Sequence, residues 1–283
     1  MNVAPNAAPA SDSYTIPQFT SAALVTIDTQ RDVLDDGAFP IPGTSAVLPA
    51  MRRLVEGFRE AQRPIVHIVR IYEQDGSNAE PCRRRLLADG AQLVIRGTPG
   101  CQLASELLPE PALQLDEMLL LNGGVQLLGA SEVAIYKPRW GAFYRTPLEH
   151  HLRRQAVSTV VFAGCNFPNC PRISIYQASE RDFRVVAVRD AISGLYERGE
   201  QELANIGVQL MGSVAVTDAL SAAKSPTTSS AATTSHTRSR AHHQTPHRSD
   251  RSARTHRHVA ARSGSPNGRF LSGGQDEHRD PRL

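Results

Sequence analysis

Apolar residues along the chain follow two rhythms. Residues 22–28 (AALVTID), 64–71 (PIVHIVRI), 132–137 (EVAIYK), 158–164 (STVVFAG) and 183–189 (FRVVAVR) are short, nearly continuous apolar runs rich in β-formers. Between several of them the spacing becomes helical. Val47, Leu48, Met51, Leu54, Val55 and Phe58 recur at three- and four-residue steps within 47–62. Further helices are expected over 146–155, from Pro171 onward, and over 197–211, with a last short strand at 213–216. Strands that are apolar at nearly every position are buried on both faces, and their alternation with helices makes the sheet parallel. The expected fold is therefore α/β: a three-layer sandwich with a mainly parallel sheet covered by helices on both faces. Residues 72–131 interrupt the alternation with turn signals (GTPG at 97–100, NGG at 122–124) and one helix expected near 82–87.

Charge divides the chain more sharply than hydropathy does. Residues 1–220 hold 20 Arg or Lys against 24 Asp or Glu, whereas 221–283 hold 11 against 4. The basic balance of the whole protein thus belongs to its last 63 residues. Their large apolar side chains are only Val259, Phe270, Leu271 and Leu283, too few to offset the entropy of ordering. The expected organisation is a flexible segment at 1–19, one domain at 20–220 and a disordered basic tail at 221–283. No run reaches the roughly 18–20 apolar residues that span a bilayer, and residues 1–20 lack the basic and apolar regions of a signal peptide, so a cytoplasmic location is expected. Cys82, Cys101, Cys165 and Cys170 are then expected to be thiols.

Ligands of open parallel sheets bind beyond the carboxyl ends of the strands. Asp28 closes the first apolar run, Lys137 closes the third, and Cys170 opens the helix after the fourth. Pro171 suits a first helical position and disfavours helical geometry for its predecessor, so Cys170 is expected to be the N-cap. Its sulfur would sit at the positive end of the helix dipole, where a thiolate is stabilised, and its N–H could help to hold an oxyanion. Cys165, directly after a strand, reads as a packed thiol. Lys137 is one of two lysines among 31 basic residues, the other being Lys224 in the tail. A domain that otherwise uses Arg keeps a lysine where a compact ammonium is needed. Trp140, Phe143 and Tyr144 cluster beside it, with core packing as the alternative role. Asp32, Asp35 and Asp36 read as solvated loop charges, and His67, inside a strand, as a hydrogen-bonded core residue. Neither a P-loop nor a dinucleotide-binding glycine pattern is present.

Three motifs, in order, carry a resemblance: LVTIDTQRDV (24–33), YKPRWGAFYRT (136–146) and VVFAGCNFPNCPRISIYQASERDFRVVAVRDAIS (160–193). Over roughly residues 20–216 the chain resembles the isochorismatase-like cysteine hydrolases, relatives of nicotinamidases and N-carbamoyl amidases. The resemblance implies catalytic roles for Asp28, Lys137 and Cys170, and an oxyanion hole from the backbone N–H groups of Asn166 and Cys170. It favours a homodimer or homotetramer, and the aromatic residues Trp140, Phe143, Tyr144 and Phe167 are expected to border the substrate pocket. Metal-binding members carry an acid and histidines after the second strand, but RIYEQDGSN (70–78) has no His. Neither a metal nor any other cofactor is therefore expected.

The activity expected is hydrolysis of a small amide, ureide or carbamoyl C–N bond through a thioester on Cys170, with Asp28 as base and Lys137 as charge partner. The alternative is a non-catalytic member that binds a ligand or partner. Its tail, with eleven basic residues in 63, would attract nucleic acid weakly, without sequence preference, and in a salt-dependent way.

Overall fold

The computed structural model describes residues 13–223. The expected tail lies outside the described residues except for its first three, which continue the last helix. Of the segment expected to be flexible, Gln18 already belongs to the domain: its N–H donates to Thr159 Oγ1 at 2.8 Å, and Phe19 packs on the core.

The chain alternates between strands and helices much as its apolar rhythm requires. In order these are β1 (Ala22–Ile27), α1 (Thr44–Glu60), β2 (Ile65–Val69), α2 (Pro81–Ala88), α3 (Glu117–Leu121), β3 (Val125–Gly129), β4 (Glu132–Tyr136), α4 (Leu148–Arg154), β5 (Thr159–Gly164), α5 (Cys170–Ser179), β6 (Arg184–Ile192), α6 (Glu197–Asn205), β7 (Gln209–Met211) and α7 (Ser213–Ala223). The strands form one sheet in the order β3-β4-β2-β1-β5-β6-β7. Every pairing is parallel except that of β3 with β4.

Alternate side chains of a strand enter opposite faces, and both faces are covered. In β1, Ala22 and Leu24 join α1 and α7 on one face, while Ala23, Val25 and Ile27 join α4, α5 and α6 on the other. All six residues of β1 and all six of β5 are buried, as a central parallel strand demands. Among the described residues no helix is long and apolar enough to cross a membrane.

Two expectations fail at the chain's end. The helix expected over 197–211 stops at Asn205, because Gly207 takes a left-handed φ of 80° and the N–H groups of Gly207 and Val208 close back on Ala204 and Leu203. The strand expected at 213–216 is instead the first turn of α7, and β7 precedes it. Ser213 starts that helix with its N–H and Oγ both on the Asp190 carboxylate, at 2.7 and 2.6 Å. Val216 and Leu220 then fall on the buried face at helical spacing. The edge strand β3 escapes the apolar pattern because one face is open: Leu127 is 75% exposed.

Candidate active site

Parallel strands deliver their carboxyl ends to one edge, and the neighbours β4, β2, β1 and β5 supply the residues that meet there. Asp28 follows β1 at a φ of 50°, with its N–H bonded to Ile68 O of β2 at 2.9 Å. A left-handed backbone costs roughly 1–2 kcal/mol for a residue with a Cβ, least for Asn and Asp. Lys137 follows β4, its N–H on Val69 O at 3.0 Å. Gly164 ends β5 at a φ of 130°, where a Cβ would stand 2.3 Å from Ile27 O, so only glycine lets β5 turn this close to β1. The loop beyond it leads to Cys170.

Lys137 Nζ lies 2.8 Å from Asp28 Oδ2 and 3.4 Å from Cys170 Sγ. A single buried ammonium, 1% exposed, therefore bridges a carboxylate and a thiol from distant parts of the chain. The other Asp28 oxygen, Oδ1, is buried and accepts no hydrogen bond among the described residues.

The electrostatics of this trio are those of a close ion pair with a thiol beside it. Burial works against the Lys137 charge, yet the Asp28 carboxylate and the Cys170 sulfur outweigh it and hold the ammonium above the ordinary lysine range. For Cys170, burial and then the Asp28 carboxylate push the thiol up, against the pull of Lys137. This runs against the stabilisation of a thiolate expected from the helix start. A helix terminus offers about half a charge, less than burial and a full carboxylate take away.

Cys170 is also not the N-cap. Asn169 holds that position at φ −117°, ψ −103°, Cys170 is the first helical residue and Pro171 the second. The chain is already wound by a turn at 166–169, in which Asn169 N–H bonds Asn166 O at 3.1 Å. The preference of a pre-proline residue for extended geometry yields to this turn. As a first-turn residue, Cys170 has an N–H that no helical carbonyl can reach. Neither it nor the N–H of Asn166 donates to any carbonyl or side chain among the described residues.

A cavity of about 60 Å³ opens against Asp28, Lys137 and Cys170. Trp140 and Asn166 line it, as does Cys165, whose thiol burial pushes up to about 11. Three expected pocket residues do not line it. Phe143 packs against Phe183 at 6.0 Å in the core, because the loop after Trp140 is tied to α5 by Ala142 N–H to Ser174 Oγ and Phe143 N–H to Gln177 Oε1, both at 3.0 Å. Tyr144 is 43% exposed, under Arg145. Phe167 is fully buried edge-on to Tyr196 at 5.3 Å, beneath α6. Asp32, expected to be solvated, is buried and accepts the N–H of Val94 at 2.7 Å.

Residues that the sequence did not single out complete the wall. Arg70, just after β2, is buried: it is paired with Glu80, donates from Nη1 to Lys137 O at 2.7 Å, and stacks on Tyr72 at 4.5 Å. Gln30 holds the backbone of Arg70 by two hydrogen bonds of 2.8 Å. Arg83 of α2 also lines the cavity. Their only signal was position, Arg70 at a strand end and Arg83 in an arginine run that looks like a solvated face.

His67 uses both ring nitrogens, on Thr26 Oγ1 at 2.7 Å and on Glu132 Oε1 at 2.8 Å. Among the described residues no group of three or more His, Cys, Asp or Glu is placed to hold a metal ion.

Comparison with known proteins gives the lineage. A family model described as the isochorismatase domain matches residues 22–119 and 124–219. A probable inactive nicotinamidase of Arabidopsis thaliana is 26% identical over 199 residues, 68% of this chain and 92% of that one. A ureidoacrylate amidohydrolase of Methylobacterium radiotolerans is 26% identical over 187 residues, 59% of this chain and 65% of that one. Among solved structures, an isochorismatase family protein of Desulfovibrio vulgaris superposes with a TM-score of 0.60 at 29% identity, covering 71% of this chain and 98% of that one.

Proposed function

Since the chain belongs to the isochorismatase family, we propose that it is a working cysteine hydrolase that cleaves a small amide, ureide or carbamoyl C–N bond. The observation that carries this reading is the position of Lys137 Nζ, 2.8 Å from the Asp28 carboxylate and 3.4 Å from Cys170 Sγ. A similar protein is a ureidoacrylate amidohydrolase, whereas another is a probable inactive nicotinamidase. The intact and mutually contacting trio favours activity over a vestigial site.

The resting thiol needs a base, and Asp28 is the carboxylate at hand. Its unpartnered Oδ1 takes the proton as Sγ attacks the substrate carbonyl. Negative charge thereby passes from the carboxylate to the former carbonyl oxygen, which the free N–H groups of Asn166 and Cys170 receive. Lys137 keeps its proton and stays beside both partners, so the charge moves within its field. Collapse of the tetrahedral adduct breaks the C–N bond while Asp28 returns the proton to the leaving nitrogen. Water, deprotonated by Asp28, then cleaves the thioester and restores the thiol. The direct test is a panel of small amides and carbamoyl compounds with intact-mass detection of an acyl adduct on Cys170. Turnover of no member, with no adduct, would overturn the reading.

Two further outcomes follow. Lys137→Arg keeps the charge but replaces a compact donor with a planar fork in a closed site, so the rate should fall by at least ~100-fold and stability by about 1–3 kcal/mol from overpacking. Kinetics close to wild type would show that any cation suffices. Activity should also survive exhaustive EDTA and gain nothing from zinc, iron or manganese, given the donor groups present. Loss on chelation that one metal reverses would contradict a reaction carried by a thiol alone.

A further inference from the structure

One acid of the first motif has no part in the reaction described above. Asp32 lies four residues after Asp28 and is 6% exposed. Among the described residues its carboxylate forms no ion pair; Oδ2 accepts the N–H of Val94 at 2.7 Å instead. Gly100 presses on the same carboxylate so closely that an added Cβ would overlap it. A buried carboxylate without a cation costs stability, so its retention for one backbone N–H directs attention to the residue that owns the N–H.

Val94 has a φ of 43°, and among the described residues it is the one β-branched residue in the left-handed region. A branched side chain there crowds its own backbone, and such a conformation persists only where the surroundings fix it. Here both sides of the residue are fixed. Asp32 takes the N–H, and the N–H of Tyr72 donates to Val94 O at 2.9 Å. Arg96 N–H adds a bond to Tyr72 O at 2.8 Å. The segment held in this way puts Leu93 and Val94 into the wall of the cavity that contains Asp28, Lys137 and Cys170, and both are buried. Released from the carboxylate, Val94 would relax to a negative φ and carry that wall with it.

We propose that Asp32 is a positioning residue: by fixing Val94 it holds Leu93 and Val94 across the cavity and sets the size limit on molecules that reach Cys170. This deepens the hydrolase reading and rests on it for Cys170 as the reacting residue. With the wall in place the cavity measures about 60 Å³, room for only a few heavy atoms beside the sulfur. A carboxylate suits the task better than a neutral acceptor because its bond to an N–H is charge-assisted.

The test reads size selectivity at the sulfur, on the full chain. Iodoacetamide and N-benzyliodoacetamide alkylate a thiolate by the same displacement of iodide, so any change in the thiol's own acidity cancels from the ratio of their rates. That ratio is followed at Cys170 by peptide mass. Wild type should favour the small reagent, and in Asp32→Ala the ratio should fall about 10-fold or more, as the loss of a charge-assisted hydrogen bond implies. Asp32→Asn, which keeps a neutral acceptor, should retain part of the selectivity. Gly100→Ala leaves Asp32 in the chain but drives its carboxylate aside, so it should lower the ratio too and serves where Asp32→Ala does not fold. Leu220→Ala, a core truncation in α7, should lower the Tm and leave the ratio as it is. A ratio unchanged in both Asp32→Ala and Gly100→Ala, or one that falls as far in Leu220→Ala, overturns the proposal. Size selectivity that depends on Asp32 while no amide is cleaved would sink the hydrolase reading and leave this one standing. Cleavage of amides through Cys170 with selectivity indifferent to Asp32 would do the reverse.

Discussion

Cys170→Ala is expected to reduce turnover of every accepted substrate to background, a loss of about 10⁴-fold or more, and to abolish the acyl adduct seen by mass. The fold should hardly notice. The sulfur is the only atom removed, and the site lies at the start of α5, so the stability change should stay within about 1–2 kcal/mol. Cys165→Ala provides the control, because that thiol also faces the cavity and is also buried. It lacks the contact with an ammonium that Cys170 makes, and its removal should leave substantial activity. An adduct that forms on Cys165, or turnover that persists in Cys170→Ala, would move the nucleophile to the other thiol.

Asp28→Asn should show the second large effect, and it has an unusual signature. Turnover should fall by about 10²- to 10⁴-fold, because the amide cannot take the thiol proton. Stability should fall by about 3–5 kcal/mol, since Lys137 remains buried at 1% exposure without its carboxylate. Alkylation of Cys170 by iodoacetamide should nevertheless become faster near neutral pH. In the wild type burial and then the Asp28 charge raise the thiol's pKa against the opposing effect of Lys137. An uncharged Asn removes the carboxylate's part of the upward shift and leaves burial opposed by Lys137, so the thiolate appears at lower pH than in the wild type. A variant that loses catalysis while gaining thiol reactivity separates a proton acceptor from a residue that merely packs. If alkylation slows together with turnover, Asp28 is not the group that holds the proton on Cys170.

Much of this protein was legible one residue at a time. The strands in the middle of the sheet are covered on both sides, so their apolar runs stand out regardless of context, and β1 and β5 appear at nearly their full lengths. Strand ends then indicated where chemistry could be, because in a parallel sheet every carboxyl end faces the same edge. The one lysine among the arginines of residues 1–220 added a compositional signal, and the structure brings Lys137 into contact with Asp28 and Cys170.

What the sequence could not supply is which neighbours share a cavity and what they do to one another's charge. Phe143, Tyr144 and Trp140 are close in sequence, yet only Trp140 reaches the cavity, because hydrogen bonds from the loop to α5 direct the chain away after it. Arg83 is one of three consecutive arginines and becomes distinctive only when the fold places it at the cavity, over the rings of Phe39 and Trp140. The direction of the Cys170 pKa was misjudged for the same reason: a helix start can be read locally, but burial and the carboxylate beside it come from β1, more than a hundred residues away. Periodicity records how each segment meets a core, and it determined the layers of this protein. Pairwise electrostatics depend on distances between segments, and those were decided only when the sheet brought its edges together.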